Sequence, residues 1–454
     1  RNAISEDEAV SDELFCNCTA TVDPAVVATF DCRPTETSEF SILGRYRACS
    51  GIAATSVSIY LSPRADFKLD SHISCSTSVK VTVASSGEGA TLDGRGQTGL
   101  FYLSGGCSLT LRGLTLVNGR TGEGGGVVYA SGAGDVEIIE SVVRDCFATY
   151  HGGVVYSSGS GAVSIIGSAV SGCSARDYGG ATYTADTDLN VTDSTISGCN
   201  ATRGGAVYVE SGSARASLAR STISSCIATE SGGGLYSAGG RTTLSDGTLI
   251  SGCLAQEGRS VFLLAGEVSY TLPAPAGRWL PNARCEVYRE ACAYAACLEH
   301  RGDCALAIAA VGQPPWYCPE PTVVQPCNWD STRDGDPSSL GKSLYQLPLL
   351  PVNQDFPFAC AAGLLGSADP KEQSSSSCAG RCPAGSQCPT EATYEALPCD
   401  AGHVCPKGTS VPLPCPAGSY SNATDLAAPE ECTLCDEGHA CTTGSVAPTP
   451  CSPD

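Results

Sequence analysis

The sequence predicts an all-β chain: a parallel β-solenoid followed by small disulfide-rich modules. Three observations carry this. A cysteine recurs at Cys146, Cys173, Cys199, Cys226 and Cys253, at intervals of 27, 26, 27 and 27 residues. A C-x5-C pattern with glycine in its fourth position appears three times after Cys378. Glycine is abundant (52 residues) while charged residues make up only 16%, which favours turns and strands over helical bundles. Helical periodicity is scarce, and its best short run is "EFSILGRYRAC" at 39–49.

The repeat defines the first region. Each of the first four cysteines is followed by a glycine pair: Gly152-Gly153, Gly179-Gly180, Gly204-Gly205 and Gly232-Gly233. An aromatic then follows each pair: Tyr156, Tyr183, Tyr208, Tyr236 and, after the last cysteine, Phe262. An earlier copy, "LTLVNGRTGEGGGVVY" (114–129), places Asn118 at the cysteine position and ends in Tyr129. A unit of this length, with short β-branched pieces and glycine corners, is one turn of a solenoid. A single turn cannot bury its own apolar side, but stacked turns can, at a strand spacing of about 4.8 Å. The glycines are expected where the backbone needs φ > 0 or passes close to another strand.

Residues 57–118 continue the pattern. "ATLDGRG", followed by "LFYLSGGCSLTLRGLTLVNG", resembles the first turns of right-handed parallel β-helices of the pectin-lyase-like class. The repeated [IV]-S-x-C-x-A and GG-A-[VTL]-Y pieces are similar to those of chlamydial polymorphic outer membrane proteins. In that family an Asn usually holds the cysteine site, as Asn118 does here. The resemblance covers about residues 53–270 and implies a right-handed parallel β-helix. It says little about function, because such solenoids serve as enzymes, adhesins and scaffolds. Asp93 in "LDGRG" matches a turn signature of the family and is expected to be structural.

The second region begins at Cys378. "CPAGSQC" (382–388), "CDAGHVC" (399–405), "CPAGSY" (415–420) and "CDEGHAC" (435–441) resemble the ephrin-receptor-like cysteine-rich modules of many extracellular algal and protist proteins. The module cysteines are Cys378, Cys382, Cys388, Cys399, Cys405, Cys415, Cys432, Cys435, Cys441 and Cys451. The resemblance implies disulfides, and a chain that continues beyond "CSPD". The expected organisation is an N-terminal cap over 1–52, the β-helix over 53–270, a Cys/Pro-rich cap and connector over 271–370, and the modules over 371–454.

Net charge is −21, with a pI near 4.6. Such a surface repels nucleic acid and anionic lipid, and serves solubility, calcium or a basic partner. Twenty-eight cysteines point to an oxidising, extracellular compartment. The chain starts at Arg1 and lacks methionine, so a mature product with its signal peptide removed is expected. No run of 18 apolar residues spans a membrane. Four N-glycosylation sequons lie at Asn17, Asn190, Asn200 and Asn422. Alternation places Asn190, between Leu189 and Val191, and Asn200, between Cys199 and Ala201, on the outer wall.

Two columns invite chemistry. The cysteines could pair between turns, but parallel in-register Cβ vectors suit the disulfide torsion poorly and five thiols cannot pair completely. A reduced, packed ladder is the favoured reading. A cysteine nucleophile has no histidine column beside it. The residues preceding the aromatics (Val128, Val155, Thr182, Val207, Leu235 and Val261) look like the core side. Tyr129, Tyr156, Tyr183, Tyr208 and Tyr236 would then form a surface stripe suited to sugars or a protein partner. Alternatively, corner insertions flip the parity and these tyrosines fill the core.

Catalytic signals are weak. Asp145 stands alone, because Gly172, Gly198, Ser225 and Gly252 precede the other cysteines. Asp177, Glu230 and Glu257 lie in variable corners near Arg176 and Arg203 and read as solvated charges. His151 lacks a partner column. Cys399/His403/Cys405 and Cys435/His439/Cys441 read as disulfide modules rather than zinc sites. Asp330, Asp334 and Asp336 lack calcium-loop spacing. Cys16 and Cys18 are expected to reach separate partners.

The expectation is a secreted structural glycoprotein with no catalytic residues, metal or cofactor. It would assemble with itself or with other matrix proteins into a fibre, flagellar hair or surface layer. The alternatives are a carbohydrate-binding adhesin and, more remotely, a polysaccharide lyase or hydrolase on the solenoid wall.

Overall fold

The computed structural model describes residues 16–23, 26–32, 56–210, 214–265, 267–280, 344–347, 354–373 and 377–451. For 16–23, 26–32, 267 and 344–347 it describes the backbone alone. The 39–49 run and Asp330, Asp334 and Asp336 lie outside these residues, as do the side chains of Cys16, Asn17 and Cys18. The chain divides into two units, one holding 1–242, 251–266 and 351–353, the other 243–250, 267–350 and 354–454.

The first unit is a right-handed parallel β-solenoid. One turn consists of Val136–Ile139, Val142–Arg144, Phe147–Ala148 and Val155–Ser158. The next consists of Val163–Ile166, Ala169–Ser171, Ser174–Ala175 and Thr182–Ala185. Every strand pairs in parallel with its counterpart, so Val136 faces Val163, Val143 faces Val170 and Val155 faces Thr182. Alternation decides what is buried. Val163, Ile165, Leu189 and Val191 are fully enclosed, while the Ser and Asn residues between them face out. At the start, Cys16–Asp23 pairs antiparallel with Ser56–Leu61 and covers the open edge. The Cys75–Cys107 disulfide ties early turns together.

The corners explain the repeated small residues. Asn118, Asp145, Gly172, Gly198, Ser225 and Gly252 all adopt φ between 53° and 62°. This corrects the alignment read from the sequence. Val117 pairs with Arg144 and Arg120 with Phe147, so Asn118 is level with Asp145 and the cysteine position belongs to Gly119. Asn and Asp tolerate the left-handed conformation that this corner imposes. Asn118 Nδ2 also donates to Asp93 Oδ1 at 2.9 Å, and the Arg95 N–H donates to the same oxygen at 2.7 Å. Asp93 is thus a turn brace.

A second corner column is formed by serines with the cysteines' own spacing. The N–H of Ser141 donates to Ser168 Oγ, Ser168 to Ser194 and Ser194 to Ser221, at 3.0–3.1 Å. Each of these hydroxyls donates in turn to a carbonyl two residues back. The ladder satisfies corner amides that no strand can reach.

In the second unit, Tyr270 is fully buried, donates to the Thr248 carbonyl at 2.7 Å and meets Phe356 edge-on at 5.6 Å. Leu344–Leu347 pairs antiparallel with Glu267–Thr271. Beyond these, two-stranded hairpins follow one another, held by Cys382–Cys388, Cys399–Cys405, Cys415–Cys432 and Cys435–Cys441. Cys378 bonds to Cys360, which the sequence reading left in the 271–370 segment. The recurring glycine is a turn requirement. Gly385, Gly402, Gly418 and Gly438 have φ of 76–86°, and the N–H that follows each closes a four-residue turn. Each disulfide contributes about 2–3 kcal/mol by loop restriction, needed where so few apolar side chains are buried.

Candidate functional site

The cysteine column is sealed. Cys146, Cys173, Cys199 and Cys226 are at most 1% exposed and carry free thiols, and Cys253 continues the column at 3%. Each sulfur points at the carbonyl two residues before it, at 3.3–3.5 Å. Hydrogen bonds between neighbouring thiols, and then burial, push Cys146 and Cys199 well above their usual range, while the same hydrogen bonds, against burial, pull Cys173 and Cys226 below it. Thiols sealed in a dry wall, with no histidine column beside them, are packing residues rather than nucleophiles.

The aromatic column is the richer feature. Val128, Val155, Thr182, Val207, Leu235 and Val261 are 0% exposed and point inward. The rings after them point away from that core and stack turn upon turn. Centroids are 4.7 Å apart for Tyr102–Tyr129, 4.8 Å for Tyr129–Tyr156, 5.3 Å for Tyr156–Tyr183 and 5.4 Å for Tyr183–Tyr208. The stack continues at 4.8 Å to Tyr236 and 5.0 Å to Phe262, with every interplanar angle at or below 18°.

This is not the exposed stripe expected from alternation. Tyr183 and Tyr208 are 6% exposed and Tyr236 is 3%, while Tyr129 and Tyr156 are half-buried. The corner segments fold over the rings. His151 stacks on Tyr178 at 4.9 Å and on Tyr183 at 4.7 Å, and Tyr178 stacks on Tyr208 at 4.7 Å. The Arg203 guanidinium lies over Tyr178 and Tyr236. His151, expected to stand alone, therefore belongs to this second layer. Ring faces occupied by other rings cannot stack on a sugar, which removes the basis for a glycan-binding stripe. Tyr183 donates a hydrogen bond to Glu210, whose backbone N–H donates to the Thr184 carbonyl at 2.8 Å. Burial first, then this bond, raises the Tyr183 phenol far above its usual range.

Four acidic groups on the wall are engaged singly with arginines. Asp193 meets Arg220 at 2.7 Å, Glu230 meets Arg203 at 2.8 Å and Asp177 meets Arg176 at 3.1 Å. Asp145 contacts Arg144 at 2.9 Å. Among the described residues no group of three or more His, Cys, Asp or Glu side chains could hold a metal. A shallow depression of about 390 Å³ is lined by Ser160, Asp186, Asp188 and Arg215, where Asp188 Oδ1 accepts the Arg215 N–H at 2.8 Å.

In the modules, Cys399 pairs with Cys405 and Cys435 with Cys441, so neither thiol pair with its histidine is a zinc site. Cys451 is exposed and carries a free thiol. Asn200 and Asn422 are exposed, and Asn190 is half-buried on the outer side of Leu189–Thr192. No helix among the described residues is long and apolar enough to cross a membrane. No family model, curated protein or solved structure matches the chain.

Proposed function

We propose that this chain is a secreted structural glycoprotein that contributes a subunit to an extracellular fibre, hair or surface layer. The observation that carries the reading is the use of the wall. Its prominent repeated columns (thiols, serines, stacked rings) are closed on themselves, turn against turn, and several of its acids are engaged singly with arginines. A solenoid built this way presents a stiff, regular surface rather than a reactive cleft. The likeness to pectin-lyase-like solenoids, chlamydial outer membrane repeats and ephrin-receptor-like modules agrees with an extracellular role, and so does the disulfide content.

The assembly contacts are assigned to the modules. Leu397, Leu413 and Leu434 stand 49%, 52% and 79% exposed on the second strands of successive hairpins, with Val411 at 73% nearby. Apolar side chains repeated in this way suit a protein partner. Glycans at Asn200 and Asn422, and at Asn190 and Asn17, would then decorate the remaining surface. The chain acts without catalysis, metal or cofactor.

The test is sedimentation of the chain expressed through a secretory pathway, with intact-mass measurement before and after N-glycan removal. The reading expects a glycan mass at the sequons and concentration-dependent association that Leu413→Ser plus Leu434→Ser weakens. A monomer at all concentrations, without glycan mass, contradicts it.

A further inference from the structure

The stacked column holds a pair that packing alone does not require. Six tyrosines and one phenylalanine form a continuous run of rings at 4.7–5.4 Å. Among the described residues, Tyr183 is the member of that run whose hydroxyl donates to a carboxylate, that of Glu210. Glu210 follows Val207–Val209 on the next turn, and its backbone is pinned to Thr184, so the carboxylate is held beside the phenol.

On the described solenoid the other readily oxidised groups are shielded. The chain contains no methionine, and the thiol column is sealed from solvent. A one-electron oxidant at the solenoid surface therefore meets tyrosines first. Tyr150 is 46% exposed beside His151, and Tyr102, Tyr129 and Tyr156 are half-buried.

We infer that the stacked column is a one-electron relay, in which oxidising equivalents entering at its accessible rings come to rest at Tyr183 because Glu210 accepts the phenolic proton. The oxidant is a diffusible one-electron acceptor, of the class of a peroxidase's high-valent haem or a photogenerated trivalent ruthenium complex. The oxidant gains one electron, supplied through the stack by Tyr183. The Tyr183 O–H bond breaks, its proton binds Glu210 Oε2, and a neutral phenoxyl radical remains beside a neutral carboxylic acid.

The physical reason for the resting place is charge. An oxidised phenol that keeps its proton is a cation, and burying one unpaired is costly. At Tyr183 the existing charge-assisted hydrogen bond supplies the proton's destination without reorganisation. The pair that results carries no charge and suits the enclosed wall. Holding the radical at Tyr183 draws oxidising equivalents off the surface instead of leaving them on exposed rings, where radicals on two chains would couple.

The test is photo-oxidation of the full chain with a ruthenium trisbipyridyl complex and persulfate. The readouts are the freeze-quenched phenoxyl signal by electron paramagnetic resonance and the yield of dityrosine-linked dimers. Tyr183→Phe keeps the ring and the stack, Glu210→Gln keeps the size, and Tyr208→Phe is the control that removes another column hydroxyl. Melting temperatures confirm that each variant folds. The expected result is a severalfold loss of the phenoxyl signal and a rise in dimers for Tyr183→Phe and Glu210→Gln, with Tyr208→Phe like the wild type. Wild-type behaviour in the first two variants, or equal losses in all three, overturns the relay.

Discussion

The carbonyl oxygen of Gly205 occupies the place where a side chain on Gly180 would begin. The same relation links Gly153 to Gly180 and Gly205 to Gly233, so the second glycine of each pair is a contact between successive backbones. The first of each pair serves the other purpose, with φ of 64–69° at Gly152, Gly179, Gly204 and Gly232. Gly180→Ala is expected to cost about 3–5 kcal/mol, as a clash between backbones that cannot move apart. Gly159→Ala has open space around it and φ of 55°, so only the left-handed strain of about 1–2 kcal/mol applies. Urea denaturation of both variants checks this, and equal losses would remove the close-approach explanation.

Thr182 offers a gain. It sits in the inward column between Val155 and Val207, fully buried, and its hydroxyl has no hydrogen-bond partner among the described residues. Replacing an unpaired buried hydroxyl with a methyl of the same shape is expected to stabilise by about 1 kcal/mol. Thr182→Val should raise the melting temperature. A lower one would mean that the hydroxyl is satisfied.

The thiol ladder predicts a pattern of labelling. Under native conditions a maleimide should modify Cys451, which is exposed, and leave Cys146, Cys173, Cys199 and Cys226 unmodified. In denaturant all should react. Native labelling of the ladder at a rate comparable to Cys451, mapped by peptide mass, would show that the wall opens.

His151 predicts a pH dependence. Burial, opposed by Asp177 and Glu210, lowers its folded pKa below the usual 6.5. Tyr150, Tyr178 and Tyr183 also lie against the ring. Below pH 6.5 the unfolded chain takes up a proton that the folded imidazole resists, so this contribution to stability falls with pH until the folded group protonates too. His151→Phe keeps the stacking and should lose stability less steeply than the wild type on acidification from pH 7 through the histidine range. Parallel stability profiles for the two proteins would contradict the assignment.

Much of the solenoid was legible in the sequence because a period of 27 residues leaves few architectures, and because strand alternation is strict. The burial of Val207 and the outward direction of Tyr208 follow from that parity. The cover over the tyrosines does not, since it comes from corner residues such as His151 and Tyr178, whose path no alternation rule describes. The Asn118 alignment slipped by one residue because a left-handed corner and an inward position sit side by side. The serine ladder at Ser141, Ser168, Ser194 and Ser221 had the same spacing as the cysteines, and that spacing was its signal. Cys360 was missed because its partner, Cys378, lies 18 residues away rather than in the short C-x5-C pattern. Glu210 carried no sequence signal, because it reaches Tyr183 across turns.

The central claim, that the chain is a building block of an extracellular assembly, is tested most directly by electron microscopy of the protein isolated from its native source without reduction. Ordered filaments or sheets, with a repeat that the stacked turns and hairpins fit, are the predicted result. Dispersed single particles under all native conditions would contradict it and return attention to the solenoid wall as a site of binding or catalysis.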